Sequence, residues 1–511
     1  MAVARTRSVT LIGVTGRTVE VEADVGNGLA GISLIGLPDT ALSEARERVR
    51  SAMVNSNYPW PDARITVSLF PASLPKRGSQ FDLAIAVAIL GAAGVVPAER
   101  LASFSFLGEL GLDGRLRPVR GILPSILSTA KEGDITVVVP TANAAEASLV
   151  PDVKVVPVRD LRQLAEWLRR GDDPPEPEIP ETPPTPTISQ VRPSVDLADV
   201  VGQPLGRRAL ELCAAGGHNL WLLGPPGTGK TLLAERLPTL LPDLQLDHAL
   251  EVTAIHSVAG VLPPDSPMMS RPPFVSPHHT ATPAAIVGGG STIIRPGAAS
   301  LAHRGVLFLD EAPEFQRYVL DSLRQPLESG YVTVSRAAGS VTFPARFMLI
   351  LAANPCPCSQ PQEGEQTCRC TPVVKRRYLG KLSGPLLDRI DMKVTVARSS
   401  RRELMADRHF VESSEVVAAR VKAARDQAAK RLSRTPWRTN AEIPSTALHT
   451  DFRPTNDAMK PLSVSLDSGT LSTRGLDRII RVAWTLADLA GKDRPEVEEV
   501  STALALWLGV G

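Results

Sequence analysis

The octapeptide Gly224-Pro225-Pro226-Gly227-Thr228-Gly229-Lys230-Thr231 constrains this chain more than any other feature. Its spacing is G-x-x-x-x-G-K-[ST]. The apolar run Leu220 to Leu223 before it reads as a buried strand, and Leu232 to Leu241 after it as a helix. Glycines let backbone N–H groups curl around phosphate oxygens, and the helix start that follows adds positive potential. Gly224, Gly227, Thr228 and Gly229 are thus the candidate nucleotide cradle. Lys230 is suited to neutralise the β- and γ-phosphates of ATP, and the Thr231 hydroxyl to ligate Mg²⁺.

Two further apolar runs end in polar groups. Val306 to Leu309 leads into Asp310-Glu311, and Phe347 to Ala353 into Asn354. An acid at the C-terminal end of a parallel strand lies beside the phosphate loop, so Asp310 is a candidate Mg²⁺ ligand. Glu311 would polarise the attacking water and Asn354 would orient it or sense the γ-phosphate. The plainer alternatives are a solvated acid pair at a helix start and ordinary Asn-Pro turn chemistry.

The remaining sequence bounds the class. With 511 residues, 43% hydrophobic and 22% charged, the chain can bury two to four cores of the usual ~100–200-residue size. Lys and Arg number 56 against 54 Asp and Glu, which excludes a uniformly basic nucleic-acid coat but allows a local patch. No apolar run reaches the ~18 residues of a membrane helix; Leu83 to Val96 stops short. The start does not read as a secretion signal, and five cysteines fit a reducing compartment, so a cytoplasmic protein is expected. Prolines crowd 171–194 and mark a linker. It separates an α+β module over 1–170 from an α/β core over 195–396, and 397–511 reads as all-helical, with helices over Arg401 to Arg434 and Thr473 to Leu489.

Three other features carry chemistry. Cys356, Cys358, Cys368 and Cys370 suit a tetrahedral Zn²⁺, although the one-residue spacing within each pair is unusual; a redox-sensitive thiol pair or an unligated loop is the alternative. Eighty residues separate Lys230 from Asp310, and the excess, Val252 to Pro296, reads as an inserted loop. Its His278 and His279 suit hydrogen bonding better than a metal. Val332 to Arg336 and Ser340 to Arg346 read as a hairpin with Arg336 near its tip. From Arg398 to Arg438, eleven basic residues face five acidic ones. Arg336 at the hairpin tip and Arg425 and Arg431 in that stripe are candidate DNA contacts, against the plainer reading, for the stripe, of a solvated helix face.

Further motifs connect these pieces: Pro277-His278-His279-Thr280, Val287-Gly288-Gly289-Gly290-Ser291, Ser300-Leu301-Ala302-His303, and Leu382-Ser383-Gly384-Pro385-Leu386-Leu387-Asp388-Arg389-Ile390-Asp391. Over essentially its whole length the chain resembles the magnesium-chelatase-like AAA+ ATPases of the ComM/YifB type. The resemblance implies an AAA+ P-loop core with a C-terminal helical lid, preceded by an α+β Lon-protease-like domain (ribosomal S5 domain 2-like). It also implies a hexameric ring, with Arg389 as the arginine finger and Arg474 as the sensor-2 arginine, Arg478 being a close competitor. Gly108-Glu109-Leu110 through Val119 resembles the Lon proteolytic domain. Gln80 stands where that domain carries its serine, and no lysine falls between Gly121 and Ala130, so the peptidase dyad is missing. The expected function is an ATP-driven DNA motor, a helicase or branch-migration factor of recombination or natural transformation. The alternative is an ATPase that remodels a partner protein.

Overall fold

Strict alternation of apolar and polar residues in Thr15–Gly26 and Arg64–Phe70 puts one face of each strand in a core and the other toward solvent. In the computed structural model, which describes residues 3–36, 39–76, 78–133, 136–171, 195–263, 267–290, 294–336, 339–358 and 368–509, these strands belong to a seven-stranded mixed sheet. Its order is Gly31–Ile35, Arg64–Phe70, Thr15–Gly26, Ala4–Ile12, Phe104–Phe106, Thr136–Pro140 and Val155–Val158. Helix Asp82–Ala92 crosses it and is buried from Asp82 to Gly91, which explains the apolar run there as a core helix. Asp82 enters that core with its carboxylate paired to Arg48, whose Nε donates at 2.7 Å and Nη2 at 3.2 Å. Among the described residues no helix is long and apolar enough to cross a membrane. The expected linker lies, Gly171 apart, outside the described residues.

The second sheet is fully parallel, in the order Phe274–Val275, Val306–Leu309, Met348–Ala353, Leu220–Leu223 and Met392–Thr395. Every residue of Val306–Leu309 and Met348–Ala353 is buried, as helices on both faces of a parallel sheet require. Three strands therefore deliver Gly224, Asp310 and Asn354 to one edge of the sheet, the strand ending in Asn354 lying between the other two.

The segment Val252 to Pro296 is not the single loop its glycines and prolines suggested. Its first residues complete helix Leu246–Ala259, Phe274–Val275 is the edge strand of the parallel sheet, and Pro283–Val287 forms a short helix. Helix Leu246–Ala259 buries Ala254 in a cluster with Ile122, Leu123 and Ile126 of the N-terminal module. Ser257 Oγ also donates to Glu146 at 2.5 Å.

Beyond Ser400 the described residues form helices, turns and loops, without strands. The long helix expected over Arg401 to Arg434 is two, Arg401–Asp407 and Ser414–Leu432, because Ser413 caps a new start through the Val416 N–H. Asp407 pins the first to the core by accepting from Arg207 at 2.6 and 2.7 Å. Helix Thr473–Leu489 holds its expected bounds.

Candidate nucleotide site and the opposing arginine cleft

Gly224 leaves its strand so close to Val396 that an added Cβ would lie 2.2 Å from that carbonyl, so glycine is the residue that fits. Gly229 turns the chain at φ 88°, in the left-handed region, and helix Lys230–Leu240 begins at once. Lys230 is buried, and its Nζ donates to the carbonyls of Gly224 and Pro225, each at 2.8 Å, and to Asn354 Oδ1 at 3.1 Å. Burial lowers its pKa from the ordinary lysine value, while Asp310 and Glu311 pull it back up. Thr231 Oγ1 donates to Asp310 Oδ2 at 2.7 Å, so a hydroxyl and a carboxylate converge where a divalent cation would take both. The structure thus brings Lys230, Thr231, Asp310 and Asn354 into one place. The Thr228 hydroxyl turns inward to the Pro225 carbonyl at 2.9 Å, stiffening the loop. Gln203 was not anticipated: its Nε2 donates to the carbonyls of Thr228 at 3.3 Å and Ala397 at 2.7 Å, closing the loop from outside.

Glu311 adopts φ 50°, ψ 44°, a left-handed conformation uncommon for a residue with a side chain. Its carboxylate is half-exposed and faces His279 Nδ1 at 3.6 Å. That imidazole stacks on His278 at 4.1 Å and meets Phe315 edge-on, while His278 Nδ1 shares a hydrogen bond with Thr280 Oγ1 at 2.8 Å.

Arg389 and Arg474 lie elsewhere. The Arg389 segment precedes Met392–Thr395 and so sits at the N-terminal edge of the parallel sheet, opposite the phosphate loop. Four residues of strand span about 13 Å, more than an arginine side chain reaches. At that edge Arg389 Nη2 pairs with Glu328 at 2.6 Å, Arg474 approaches Asp388 at 3.8 Å and Arg478 pairs with Asp391 at 3.0 Å. Burial alone would raise the Asp391 pKa, but Arg478, His218 and the Asn219 N–H hold it below the usual carboxylate range. Glu328, Asp388, Arg389, Asp391, Arg474 and Arg478 line a cleft of about 750 Å³ that also takes in Arg346 and Arg481. Arg474 is therefore remote from the phosphate loop of its own chain.

The candidate DNA contacts divide. Arg336 is exposed at the end of hairpin strand Tyr331–Arg336, near Gly289. Arg425 and Arg431, expected on a basic surface, instead make internal contacts, Arg425 to helix Pro204–Gly216 of the core and Arg431 within the helical domain. Arg425 Nε donates to the Ala214 carbonyl at 2.7 Å, and burial lowers its pKa to about 10. Arg431 lies 4.2 Å over the Trp484 ring and donates to Asn440 and Asp488, each at 2.8 Å. Helical spacing alone could not show that acids from another helix, Asp488 above all, meet this stripe from behind.

The sulfurs of Cys356, Cys358, Cys368 and Cys370 all lie within 4.8 Å of one another. Tetrahedral zinc with ~2.3 Å bonds sets sulfurs about 3.8 Å apart, so the quartet could hold a metal ion. In the N-terminal module Gln80 Nε2 donates to the Val9 carbonyl at 2.9 Å, and the Ser79 hydroxyl bonds Glu109.

A phosphate loop beside a parallel strand carrying Asn354, and an acidic pair one strand further on, define an AAA+ ATPase. Three descriptors of one family match the chain: magnesium chelatase, subunit ChlI, over residues 196–404; subunit ChlI of Mg-chelatase over 21–143; and the ChlI C-terminal region over 411–506. An uncharacterised protein of Mycobacterium tuberculosis is 52% identical over 99% of this chain and 98% of its own length. YifB of Escherichia coli is 40% identical (96% of this chain, 94% of its own), and the competence protein ComM of Haemophilus influenzae is also 40% identical (97% and 95%). The chain belongs to the ComM/YifB-type magnesium-chelatase-like family.

Proposed function

We propose that this protein is an ATP-hydrolysing ring motor that acts on DNA, a helicase or branch-migration factor serving recombination or transformation. The observation that carries the reading is the placement of Arg389 and Arg474 at the sheet edge opposite the phosphate loop. One chain then holds half of a hydrolytic site at each edge, and a closed ring, a hexamer by family resemblance, joins them. DNA as substrate is supported by 40% identity to a competence protein over nearly the whole chain and by the exposed Arg336.

In this reading the Gly224 to Gly229 backbone cradles the phosphates and Lys230 neutralises the β/γ-oxygens. Thr231 and Asp310 would hold Mg²⁺, which supplies charge neutralisation between those oxygens. Glu311 orients and polarises the attacking water, with Asn354 at the γ-phosphate. Arg389, from the neighbouring copy, stabilises the charge of the transition state as a planar, permanently charged fork, and Arg474 approaches the same nucleotide. The cysteine quartet holds structural Zn²⁺, fixing the chain that leaves Asn354. The N-terminal module, with a Lon-like fold and no dyad, is an accessory domain docked on helix Leu246–Ala259. A cytoplasmic location follows from the DNA substrate.

The test is ATPase turnover with and without forked and four-way DNA, alongside unwinding of the same junctions. Salt-sensitive stimulation and unwinding, both lost in Glu311→Gln, are the expected results. Turnover indifferent to every DNA but raised by a protein partner would favour the remodelling activity suggested by the magnesium-chelatase 38 kDa subunit of Rhodobacter capsulatus, 29% identical over 182 residues.

A further inference from the structure

Asn219 stands just before the phosphate-loop strand, at the edge of the sheet away from the nucleotide. It bonds almost wholly to the segment that carries Arg389. Its backbone N–H donates to Asp391 Oδ2 at 2.8 Å, and its carbonyl accepts from the N–H groups of Asp391 at 3.1 Å and Met392 at 3.2 Å. Its carboxamide works in two directions. Nδ2 donates to the Arg389 carbonyl at 2.9 Å, and Oδ1 accepts the Leu349 N–H at 2.7 Å. The orientation is fixed by its partners, since a carbonyl needs a donor and an N–H an acceptor. Leu349 belongs to Met348–Ala353, the strand whose other end delivers Asn354 to Lys230.

We infer that Asn219 is the positioning residue for Arg389: its carboxamide fixes where that cation is offered to a neighbouring nucleotide, and ties it to the strand that ends in Asn354. The inference rests on the shared-site reading proposed above. Asparagine is the side chain the geometry demands. Aspartate is isosteric but has no donor for the Arg389 carbonyl, and it brings a second carboxylate beside Asp391; alanine reaches neither partner. The Arg389 side chain makes its own bonds to Glu328 and to the Pro385 carbonyl and its N–H donates to the Leu386 carbonyl, but its own carbonyl is held by Asn219. Asp391, anchored by the same residue, receives Arg478 from the helix that also carries Arg474, so both proposed trans-acting arginines hang from one clamp.

A residue that only stabilised the fold would lower nucleotide binding and turnover together. A residue that places Arg389 acts on a different copy's nucleotide, and two readouts separate these cases. In the assembled protein, Asn219→Ala and Asn219→Asp should lower kcat about tenfold or more while KM for ATP stays within about twofold. Asn219→Asp keeps the side-chain volume and the acceptor for Leu349, so it removes the donor with the least disturbance. Mixing either variant with an equal amount of Lys230→Ala protein should restore turnover. The variant's intact phosphate loop then meets an unaltered Arg389 segment from the Lys230→Ala copy. Arg389→Ala, mixed in the same way, is the reference.

Wild-type turnover in both Asn219 variants overturns the inference. So does a loss that Lys230→Ala fails to rescue while it rescues Arg389→Ala. If Arg389→Ala itself loses nothing, or is not rescued, the shared-site reading fails and this inference falls with it.

Discussion

Arg389 gives its Nη2 to Glu328 Oε2 at 2.6 Å, and the Glu328 side chain is 69% exposed while that of Arg389 is 10% exposed. The cation assigned to a neighbouring nucleotide is thus already held by an anion at the rim of its own cleft. A pair with one partner in solvent is worth ~0.2–1 kcal/mol, which corresponds to between about 1.5-fold and fivefold in availability. Glu328→Gln should raise steady-state ATPase by a factor in that range. A fall in turnover would show that Glu328 orients Arg389 rather than competing for it.

The two ends of the phosphate chemistry separate by mutation. Lys230→Ala removes the ammonium that binds Gly224, Pro225 and Asn354, and should abolish nucleotide binding measured by equilibrium titration. Glu311→Gln should leave binding intact and lower kcat by about 10²–10⁴, the usual contribution of a positioned base. Equal loss of binding in both would show that Glu311 supports the loop rather than the water.

Zinc in the Cys356, Cys358, Cys368 and Cys370 cluster predicts one equivalent of metal per chain by elemental analysis. Those four thiols should resist a thiol reagent until a strong chelator is added. Cys213 is buried in the core and should stay unreactive until the protein unfolds. Cys356→Ser should lose the metal. Four thiols that react freely in the purified protein would argue for the redox-pair alternative.

Asp391 is buried and held ionised by Arg478 and its other partners. Its folded pKa is depressed, so the stabilisation is complete above the unfolded value near ~4 and drains away as pH falls below it. Asp391→Asn should cost about 3–5 kcal/mol at pH 7, as loss of one partner of a buried pair does. The gap from the unaltered protein in denaturant titrations should narrow below about pH 4. A gap constant down to the acid transition would mean that the hydrogen bonds of Asp391, not its charge, carry the effect.

Arg431 and Arg336 should behave oppositely. Arg431→Ala strips Asp488 of its cation and uncovers Trp484, and should destabilise the helical domain by a few kcal/mol, about the cost of an unpaired buried charge. Among variants that stay folded, Arg431→Ala should leave DNA affinity unchanged. Arg336→Ala should keep its melting temperature, weaken DNA binding, and reduce the salt slope by about one charge. Equal DNA losses in both would return Arg431 to the surface.

The phosphate loop, its strand and helix, and the acidic pair were legible from sequence because each depends on neighbours in the chain. Backbone curvature needs glycine, and a buried parallel strand needs an unbroken apolar run. The cysteine quartet was legible for the same reason, its four members lying within fifteen residues. Arg425 and Arg431 were misplaced because a helix face is polar in sequence whether it meets water or another helix's acid. Asn219 was missed because one asparagine before a strand carries no local signal; its partners lie 130 and 170 residues away. The sequence alone determined which groups stand at the phosphate loop, Lys230, Thr231, Asp310 and Asn354 among them. Only the tertiary structure decided that Arg389 stands at the far edge of the sheet, since strand order and direction, set by long-range packing, fix which end of a strand faces which ligand.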